Sequence, residues 1–196
     1  SLGAVLPRHG YLDDNGTEEP EDDFWVSASE VAELVNMISR ATTYAYRNGT
    51  LVIASAGNEA TDGNADQDLL HLPSDLPHVL SISATAPIGW ATDPANTFLD
   101  NLASYSNYGK SVIDFAAPGG DYIYPGNESC VIGGLLRPCY VFDYVFSTGN
   151  GGWYWSVGTS MAAPHASGVA ALIVGANGGD MKPAHVEQAL PAPAED

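Results

Sequence analysis

The segment with the clearest chemical potential is Gly158-Thr159-Ser160-Met161-Ala162-Ala163-Pro164-His165, which joins a Gly-rich loop to a helical pattern. Ser160 stands at that junction, so its hydroxyl is predicted to lie at a helix N-terminus, where free amides and the helix dipole stabilise developing negative charge. Pro164 has no amide to donate to the Ser160 carbonyl, so the first helical turn is expected to be irregular. This context suits a serine nucleophile, while a serine that only caps the helix remains the alternative.

Asn58 is the second residue with a side chain suited to catalysis. Gly57-Asn58 follows the apolar run Leu51-Val52-Ile53-Ala54, so the Asn58 amide can project rigidly from a strand end into a cleft. Such an amide could stabilise an oxyanion, although asparagine is also a common turn residue because it tolerates left-handed backbone. An α/β-hydrolase is disfavoured, because its nucleophile needs glycine two positions later, where this chain has Ala162.

The run from Gly158 to His165, continued by Ala166-Ser167-Gly168-Val169-Ala170-Ala171-Leu172, closely resembles the serine-nucleophile motif of subtilisin-like serine proteases, the subtilase family. Five further blocks agree with that family in order and spacing. They are Ser1-Leu2-Gly3, Val52 to Glu59, Leu72-Pro73 to Val79, Tyr105 to Gly109, and Ala117-Pro118-Gly119. The resemblance covers most of the chain except roughly residues 4–26 and 121–155.

The resemblance implies a serine-type endopeptidase mechanism and two catalytic residues. Ser160 would attack the scissile carbonyl and form an acyl-enzyme. The side-chain amide of Asn58 and the backbone N–H of Ser160 would donate hydrogen bonds to the oxyanion. This chemistry requires no cofactor.

The resemblance also implies where an extended polypeptide substrate would bind. Substrate would pair with Ser1-Leu2-Gly3, and Ala54-Ser55-Ala56-Gly57 would form the opposite wall of the pocket for the residue before the scissile bond. His71 falls where the family often has a small residue on the pocket floor. We therefore expect His71 to narrow the pocket or to accept polar side chains, with a surface-loop histidine as the alternative.

A serine nucleophile needs a histidine base and an orienting carboxylate. In the subtilase family both come from motifs upstream of the block that Ser1-Leu2-Gly3 resembles. None of the chain's histidines lies in such a motif, and His165, inside the serine motif, is expected to be a packed structural residue. We therefore read the chain as an internal piece of a longer polypeptide, inactive alone, whose upstream part carries the Asp and His.

Two other functions would use the same groove. A non-catalytic pseudopeptidase would bind extended peptides there, although peptide binding alone explains neither Ser160 nor Asn58. An acyl-transfer or ligase enzyme would form the same acyl-enzyme but exclude water. Both alternatives remain open from the sequence.

The composition excludes several function classes. The 196 residues contain 6 Lys and Arg against 24 Asp and Glu, giving a net charge of −18. This balance argues against nucleic-acid binding and against docking on an anionic membrane. No run approaches the ~18 apolar residues that span a bilayer, and the 45% of hydrophobic residues can build a core.

Short apolar runs alternate with helical patterns, which predicts an α/β domain with a mainly parallel sheet between helices, a three-layer subtilisin-like fold incomplete at its N-terminus. The predicted strands are 51–54, 79–82 and 112–115, besides a strand end at 1–6 with nothing to pair with. A capping box, Ser27-Ala28-Ser29-Glu30, begins one helix, and Gly49 ends it. A helix from about 160 to 174, lined with small residues, is expected to be deeply buried, and a last helix runs from about 183 to 190.

Two segments lie outside the resemblance. Residues 4–26 carry an acidic run, Glu18 to Asp23, and are predicted to form a solvated loop. Residues 121–155 form an aromatic insertion that leads into Ser160 and is expected to lie over or beside the cleft. The insertion contains Cys130 and Cys139, for which a disulfide is favoured over two free thiols; it would indicate an extracellular or periplasmic protein.

A structural calcium ion is the one metal considered, because subtilases often bind calcium. Asp62 to Asp68 alternates oxygen-bearing side chains, but Gln67 and Pro73 stand where an EF-hand loop needs glycine and glutamate. Asp114, together with carbonyls from residues 74–79, could form a cation site as in some relatives. The metal ligands therefore remain unknown.

Overall fold

The computed structural model describes residues 3–190, which contain three helices and twelve strands. The helices are α1 (Ala28–Arg47), α2 (Thr159–Ala176) and α3 (Pro183–Ala189). The strands are β1 (Ala4–Pro7), β2 (Gly10–Asp13), β3 (Phe24–Ser27), β4 (Val52–Ser55), β5 (Leu69–Leu72), β6 (Val79–Ala86), β7 (Asn101–Leu102), β8 (Phe115–Pro118), β9 (Ser129–Ile132), β10 (Leu135–Pro138), β11 (Val145–Gly149) and β12 (Gly152–Ser156).

The central sheet is mainly parallel, as predicted. Strand β6 pairs in parallel with β4, where Val79 lies opposite Val52, and with β8, where Ile82 lies opposite Phe115. Strand β7 adds only two antiparallel residue pairs to β6. Parallel strands place their carboxyl ends at one edge, so the loops after β4 and β8 leave the sheet together.

Helices cover both faces of this sheet because side chains alternate along β6. Leu80, Ile82 and Ala84 belong to a buried cluster that includes residues of α2 and α3. Val79 belongs to a second cluster, which includes Val31 of α1. The three-layer α/β arrangement predicted from the sequence is therefore confirmed.

The ends of α1 follow the predicted local signals. The Glu30 N–H donates to the Ser27 hydroxyl at 3.3 Å, and the Glu30 carboxylate accepts from the Ser27 N–H at 2.8 Å. This capping box satisfies amides that the first turn leaves without helical partners. At the other end, Gly49 has φ 87° directly after the cap residue Asn48.

Helix α2 is buried on one face only, so the prediction of burial around most of its circumference is wrong for the described residues. Ala162, Ala166 and Ala170 pack against the sheet, and their small size allows the backbone to approach it closely. On another face Leu172 is 74% exposed, and Val169 is also exposed. Among residues 3–190, no element covers this second face.

The third predicted strand is displaced by three residues, to Phe115–Pro118 instead of 112–115. Val112 and Ile113 both donate their amides to the Gly109 carbonyl and therefore close a turn. The ladder with β6 begins only after Asp114, whose amide donates to the Ser81 carbonyl at 3.0 Å.

Residues 4–26 are not one solvated loop, because three strands occupy much of the segment. The predicted strand end also has a partner, since β1 pairs antiparallel with β5 and Ala4 lies opposite Leu72. Strands β2 and β3 pair with each other and flank an exposed acidic loop at residues 14–23. The apolar residues on either side of the acidic run supply this pairing, which the charge pattern alone does not indicate.

The aromatic insertion consists of two hairpins, β9–β10 and β11–β12, joined by a short 3₁₀ helix. Cys130 and Cys139 form the predicted disulfide. The Asp143 carboxylate accepts from the amides of Gly89 and Trp90 at 2.7 and 2.8 Å, which ties the insertion to the loop after β6. Burial raises the pKa of Asp143, and these two amides oppose the shift.

Candidate active site

The serine segment begins where β8 ends. The Gly158 N–H donates to the Gly119 carbonyl at 2.9 Å, which fixes the start of α2 beside the carboxyl end of β8. Glycine is required at 119 because a Cβ there would lie 2.5 Å from the Ala84 Cβ. The Gly158 carbonyl accepts from both Met161 and Ala162, so the first turn of α2 is irregular as predicted.

Thr159 fixes the Asn58 side chain next to this turn. The Thr159 N–H and hydroxyl both donate to Asn58 Oδ1 at 2.9 Å, although the residues are 101 positions apart. The Thr159 hydroxyl oxygen also accepts from the Gly57 N–H at 3.3 Å, and Thr159 is 0% exposed. Because Oδ1 already has two donors on the Thr159 side, the amide nitrogen of Asn58 is directed away from Thr159.

Asn58 and Ser160 flank one point in space. A Cβ built on Gly158 would lie 3.7 Å from Asn58 Oδ1 and 3.7 Å from the Ser160 nitrogen. The two atoms therefore lie within twice that distance of each other. The structure brings together the residues that the sequence separates by about half the chain.

Asn107 organises the loop that carries Asn58. Its side-chain oxygen accepts from the amides of Glu59 and Thr61 at 3.1 and 3.0 Å. Its side-chain nitrogen donates to the Ala56 carbonyl and to the Glu59 carboxylate at 2.9 and 2.8 Å. Asn107 is 4% exposed, so these contacts satisfy a buried amide completely.

The sequence analysis assigned no role to Thr159 and Asn107, although both stand inside the quoted motifs. A threonine directly before a candidate nucleophile and an asparagine inside a Ser-Asn-Tyr-Gly block are ordinary polar residues by composition. Their contacts join segments far apart in sequence, and only the three-dimensional structure shows them. An alignment of relatives would be the natural signal for such residues.

The predicted pocket wall leaves the central sheet just before Asn58. Ala54 and Ser55 end β4, and the Ala56 N–H continues the ladder by donating to the Ile82 carbonyl at 3.0 Å. Gly57 then turns away with φ 108°. The predicted wall is therefore contiguous with the Asn58 loop.

The predicted substrate-pairing strand is described only in part. Ser1 and Leu2 lie outside the described residues. Gly3 is exposed, and a Cβ on it would lie 3.2 Å from the Leu72 carbonyl oxygen. This places the segment beside β5, the strand that contains His71.

His71 is mostly buried against the Asn58 loop and is not a surface-loop residue. A Cβ on Gly57 would lie 3.1 Å from the His71 ring. Ring atom Nδ1 lies 3.8 Å from the Asp75 carboxylate, and Nε2 lies 3.5 Å from that of Glu59. The Asp75 carboxylate raises the pKa of His71 most, burial opposes it, and Glu59 and Asp66 add to the increase.

His165 is exposed, so the prediction of a packed histidine is wrong. Its ring atom Nδ1 lies 2.8 Å from the Met161 carbonyl, one helical turn earlier. Hairpin β11–β12 and the first turns of α2 enclose a cavity of about 510 Å³, and His165 and Met161 line it. The insertion thus reaches the residue that follows Ser160.

The candidate calcium loop is occupied by local hydrogen bonds. Asp62 accepts from the Asn64 N–H and Asp66 from the Asp68 N–H, while Asp114 accepts from the Ser81 N–H at 2.8 Å. Residues 3–190 contain no group of three or more His, Cys, Asp or Glu that could hold a metal ion.

No helix in this described range is long and apolar enough to cross a membrane.

Comparison with known proteins supports the resemblance seen in the sequence. The chain is 31% identical over 188 residues to the nisin leader peptide-processing serine protease NisP of Lactococcus lactis subsp. lactis, covering 89% of this chain. It is 30% identical over 175 residues to the thermophilic serine proteinase of Bacillus sp. strain AK1, covering 83% of this chain. The chain spans 24% and 34% of the lengths of these two relatives.

A solved structure and a family match agree with these relatives. The crystal structure of a lanthipeptide protease matches with a TM-score of 0.65 and 27% identity, over 100% of this chain and 52% of that chain. Residues 1–195 match the Subtilase family, peptidase S8. The chain therefore belongs to the Subtilase family and has its α/β fold.

Proposed function

We propose that the chain is the serine-bearing part of a serine-type endopeptidase that hydrolyses peptide bonds through an acyl-enzyme on Ser160. The observation that carries the proposal is the pair of hydrogen bonds from Thr159 to Asn58 Oδ1. They hold a carboxamide beside the start of α2 with its N–H₂ group directed away from Thr159. Peptide binding alone needs no such arrangement, so the proposal is favoured over a pseudopeptidase.

In the proposed reaction the Ser160 oxygen adds to the scissile carbonyl, and its proton passes to a histidine base. The carbonyl electron pair becomes an oxyanion, which accepts hydrogen bonds from the Asn58 side chain and the Ser160 N–H. When the oxyanion collapses, the peptide C–N bond breaks and the amine leaves with the proton from the histidine. Water then hydrolyses the acyl-enzyme by the reverse proton path and releases Ser160.

The histidine base and its orienting aspartate are assigned to an upstream part of the same polypeptide. The match of the chain to only part of each relative's length fits this assignment. An acyl-transfer or ligase enzyme would differ only in excluding water from the second step.

Substrate is proposed to bind as an extended chain along Ser1-Leu2-Gly3, with Ala54 to Gly57 as the opposite pocket wall. The insertion would add contacts near Met161 or restrict access there. The net charge of −18 supports neither nucleic acid nor an anionic membrane as a partner.

The proposed location is extracellular or periplasmic. The disulfide between Cys130 and Cys139 suits an oxidising compartment. The Xanthomonas campestris relative, 29% identical over 170 residues, is itself named an extracellular protease. No cofactor is assigned to the chemistry, and a structural calcium ion held by Asp114 remains a proposal.

A fluorophosphonate probe tests the proposed function in the full-length protein. We expect stoichiometric labelling that Ser160→Ala abolishes and Ser167→Ala preserves, since Ser167 lies on the same helix with its hydroxyl bonded to the Ala163 carbonyl. The isolated 196-residue chain should not react. Labelling that survives Ser160→Ala, or a full-length protein that binds peptides without labelling, would overturn the proposal.

A further inference from the structure

The His71 imidazole has one ring nitrogen without a hydrogen bond. Nε2 is buried, and no atom of residues 3–190 hydrogen-bonds to it. The side chain as a whole is 13% exposed, and its ring lies against Gly57 of the proposed pocket wall. A buried polar atom without a partner is costly, so it needs a physical explanation.

The Glu59 carboxylate is the group that faces this nitrogen. Its Oε2 lies 3.5 Å from His71 Nε2 and accepts a hydrogen bond from Asn107 at 2.8 Å. The Glu59 side chain is 43% exposed, so a bound molecule can reach it. Protonation of His71 would place a cation beside Glu59, whereas neutral His71 leaves the Glu59 charge uncompensated.

Other charged groups around His71 are mostly acidic. Asp75 lies near Nδ1, and both Asp75 and Asp66 raise the pKa of His71 together with Glu59. Arg8 and Lys110 line the far parts of a cavity of about 650 Å³ that His71 also lines. The acidic groups dominate at His71, because the net shift of its pKa is upward despite burial.

We propose that Glu59 and His71 together select the substrate residue before the scissile bond, accepting Arg or Lys when His71 is neutral and disfavouring them when it is protonated. The inference rests on the proposed function and names the substrate class for the same site. Neutral His71 leaves Glu59 available to pair with a substrate cation. Protonated His71 pairs with Glu59 itself and adds a positive charge that repels that cation.

The pH dependence follows from the direction of the pKa shift. The ordinary pKa of histidine is about 6.5, and the neighbouring carboxylates raise that of His71. The change in selectivity therefore lies above that value, with stronger preference for basic residues as the pH increases. The net charge of −18 attracts cationic segments at every pH and does not produce this change.

The test compares two peptides that differ only in arginine or citrulline before the scissile bond, cleaved by the full-length protein. The readout is the ratio of their kcat/KM values between pH 5.5 and 9. The catalytic histidine titrates equally for both peptides, so its effect cancels in the ratio. We expect the arginine-to-citrulline ratio to increase about tenfold across this range, the size of one hydrogen-bonded charge pair.

Three variants identify the groups. Glu59→Gln should lower the ratio about tenfold at high pH and make it independent of pH. His71→Gln, with His71→Asn as a second variant if the first does not fold, should keep the preference for arginine but remove its pH dependence. Glu19→Gln changes the net charge equally within the exposed acidic loop and should leave the ratio unchanged.

The outcomes separate this inference from the proposed function. Cleavage of both peptides at equal rates, or a pH-dependent ratio in both His71 variants, overturns the inference and leaves the proposed function standing. Failure of the full-length protein to cleave either peptide, or cleavage that persists in Ser160→Ala, overturns the proposed function as well.

Discussion

The Asn58 loop and the aromatic insertion flank the same helix but are built in opposite ways. Polar contacts from distant segments hold the loop, and the buried side chains of Thr159 and Asn107 provide them. The insertion exposes large aromatic side chains, with Trp153 66% exposed, and a disulfide closes one of its two hairpins. The loop depends on the surrounding fold, while the insertion depends more on its own contacts.

This difference reflects what each region has to achieve. An oxyanion donor works only when it is held in place before the reaction, so its supporting polar groups are buried and fully paired. A segment that contacts variable substrates can vary in sequence if a few anchors hold it. Asp143 is such an anchor, through its bonds to Gly89 and Trp90.

The strongest test of the comparison is Asn58→Ala in the full-length protein. Loss of one oxyanion donor should lower kcat about 10²–10³-fold with little change in KM, a magnitude that itself comes from a subtilisin. Steady-state kinetics on a short peptide measure the effect.

Asn96→Ala is the matched control, because the Asn96 amide bonds only to Asp93 in an exposed loop. It should leave kcat unchanged. Equal kcat in Asn58→Ala and in the control would contradict the proposed role of Asn58.

The second prediction concerns the insertion. Replacing Cys130 and Cys139 together by alanine opens a loop of about ten residues and should lower the free energy of unfolding by about 2.7 kcal/mol. Chemical denaturation measures the loss. Activity on a short peptide should change less than about twofold, because the Asn58 loop shares no contact with this hairpin in the described residues.

A large loss of kcat in the double alanine variant, with the folded state intact by circular dichroism, would show that the insertion supports catalysis directly. The two regions would then not be independent.

The third prediction concerns the scaffold of the loop. Asn107→Ala leaves the Glu59 and Thr61 amides without their acceptor, which should cost about 2 kcal/mol of unfolding free energy. Asn96→Ala again serves as the exposed control and should cost less than about 0.5 kcal/mol. If both substitutions cost the same, the buried network does not hold the loop as described.

Local signals in the sequence predict much of the fold. The capping box at Ser27 and Glu30, Gly49 at the end of α1, and the apolar runs of β4 and β6 act between near neighbours. Their physics is present in a short segment, so the predicted elements agree with the structure. The Cys130–Cys139 pairing is local in the same sense, since the residues are 9 positions apart.

Long-range contacts account for what sequence reasoning missed. The turn at Gly109 delays β8, the pairing of β1 with β5 joins segments over 60 positions apart, and Thr159 reaches Asn58 across 101 positions. A single sequence does not encode these distances in its local pattern. The catalytic candidates were recognisable because the Ser160 motif is itself short, whereas the residues that position them are dispersed.

The smallest predicted effect tests that positioning role directly. Thr159→Val keeps the shape of the side chain but removes the hydroxyl that donates to Asn58, while the backbone N–H donor remains. We expect kcat to decrease about tenfold or less, the net value of one hydrogen bond, with KM nearly unchanged. Thr159→Ser retains the hydroxyl and should retain most of kcat.

A double-mutant cycle distinguishes positioning from general destabilisation. If Thr159 acts through Asn58, Thr159→Val should cost nothing further in kcat once Asn58 is alanine, because no amide remains to be oriented. If the two losses add, Thr159 affects the site by another route, such as the start of α2. Only the first result supports the view that the buried network exists to hold one donor in place.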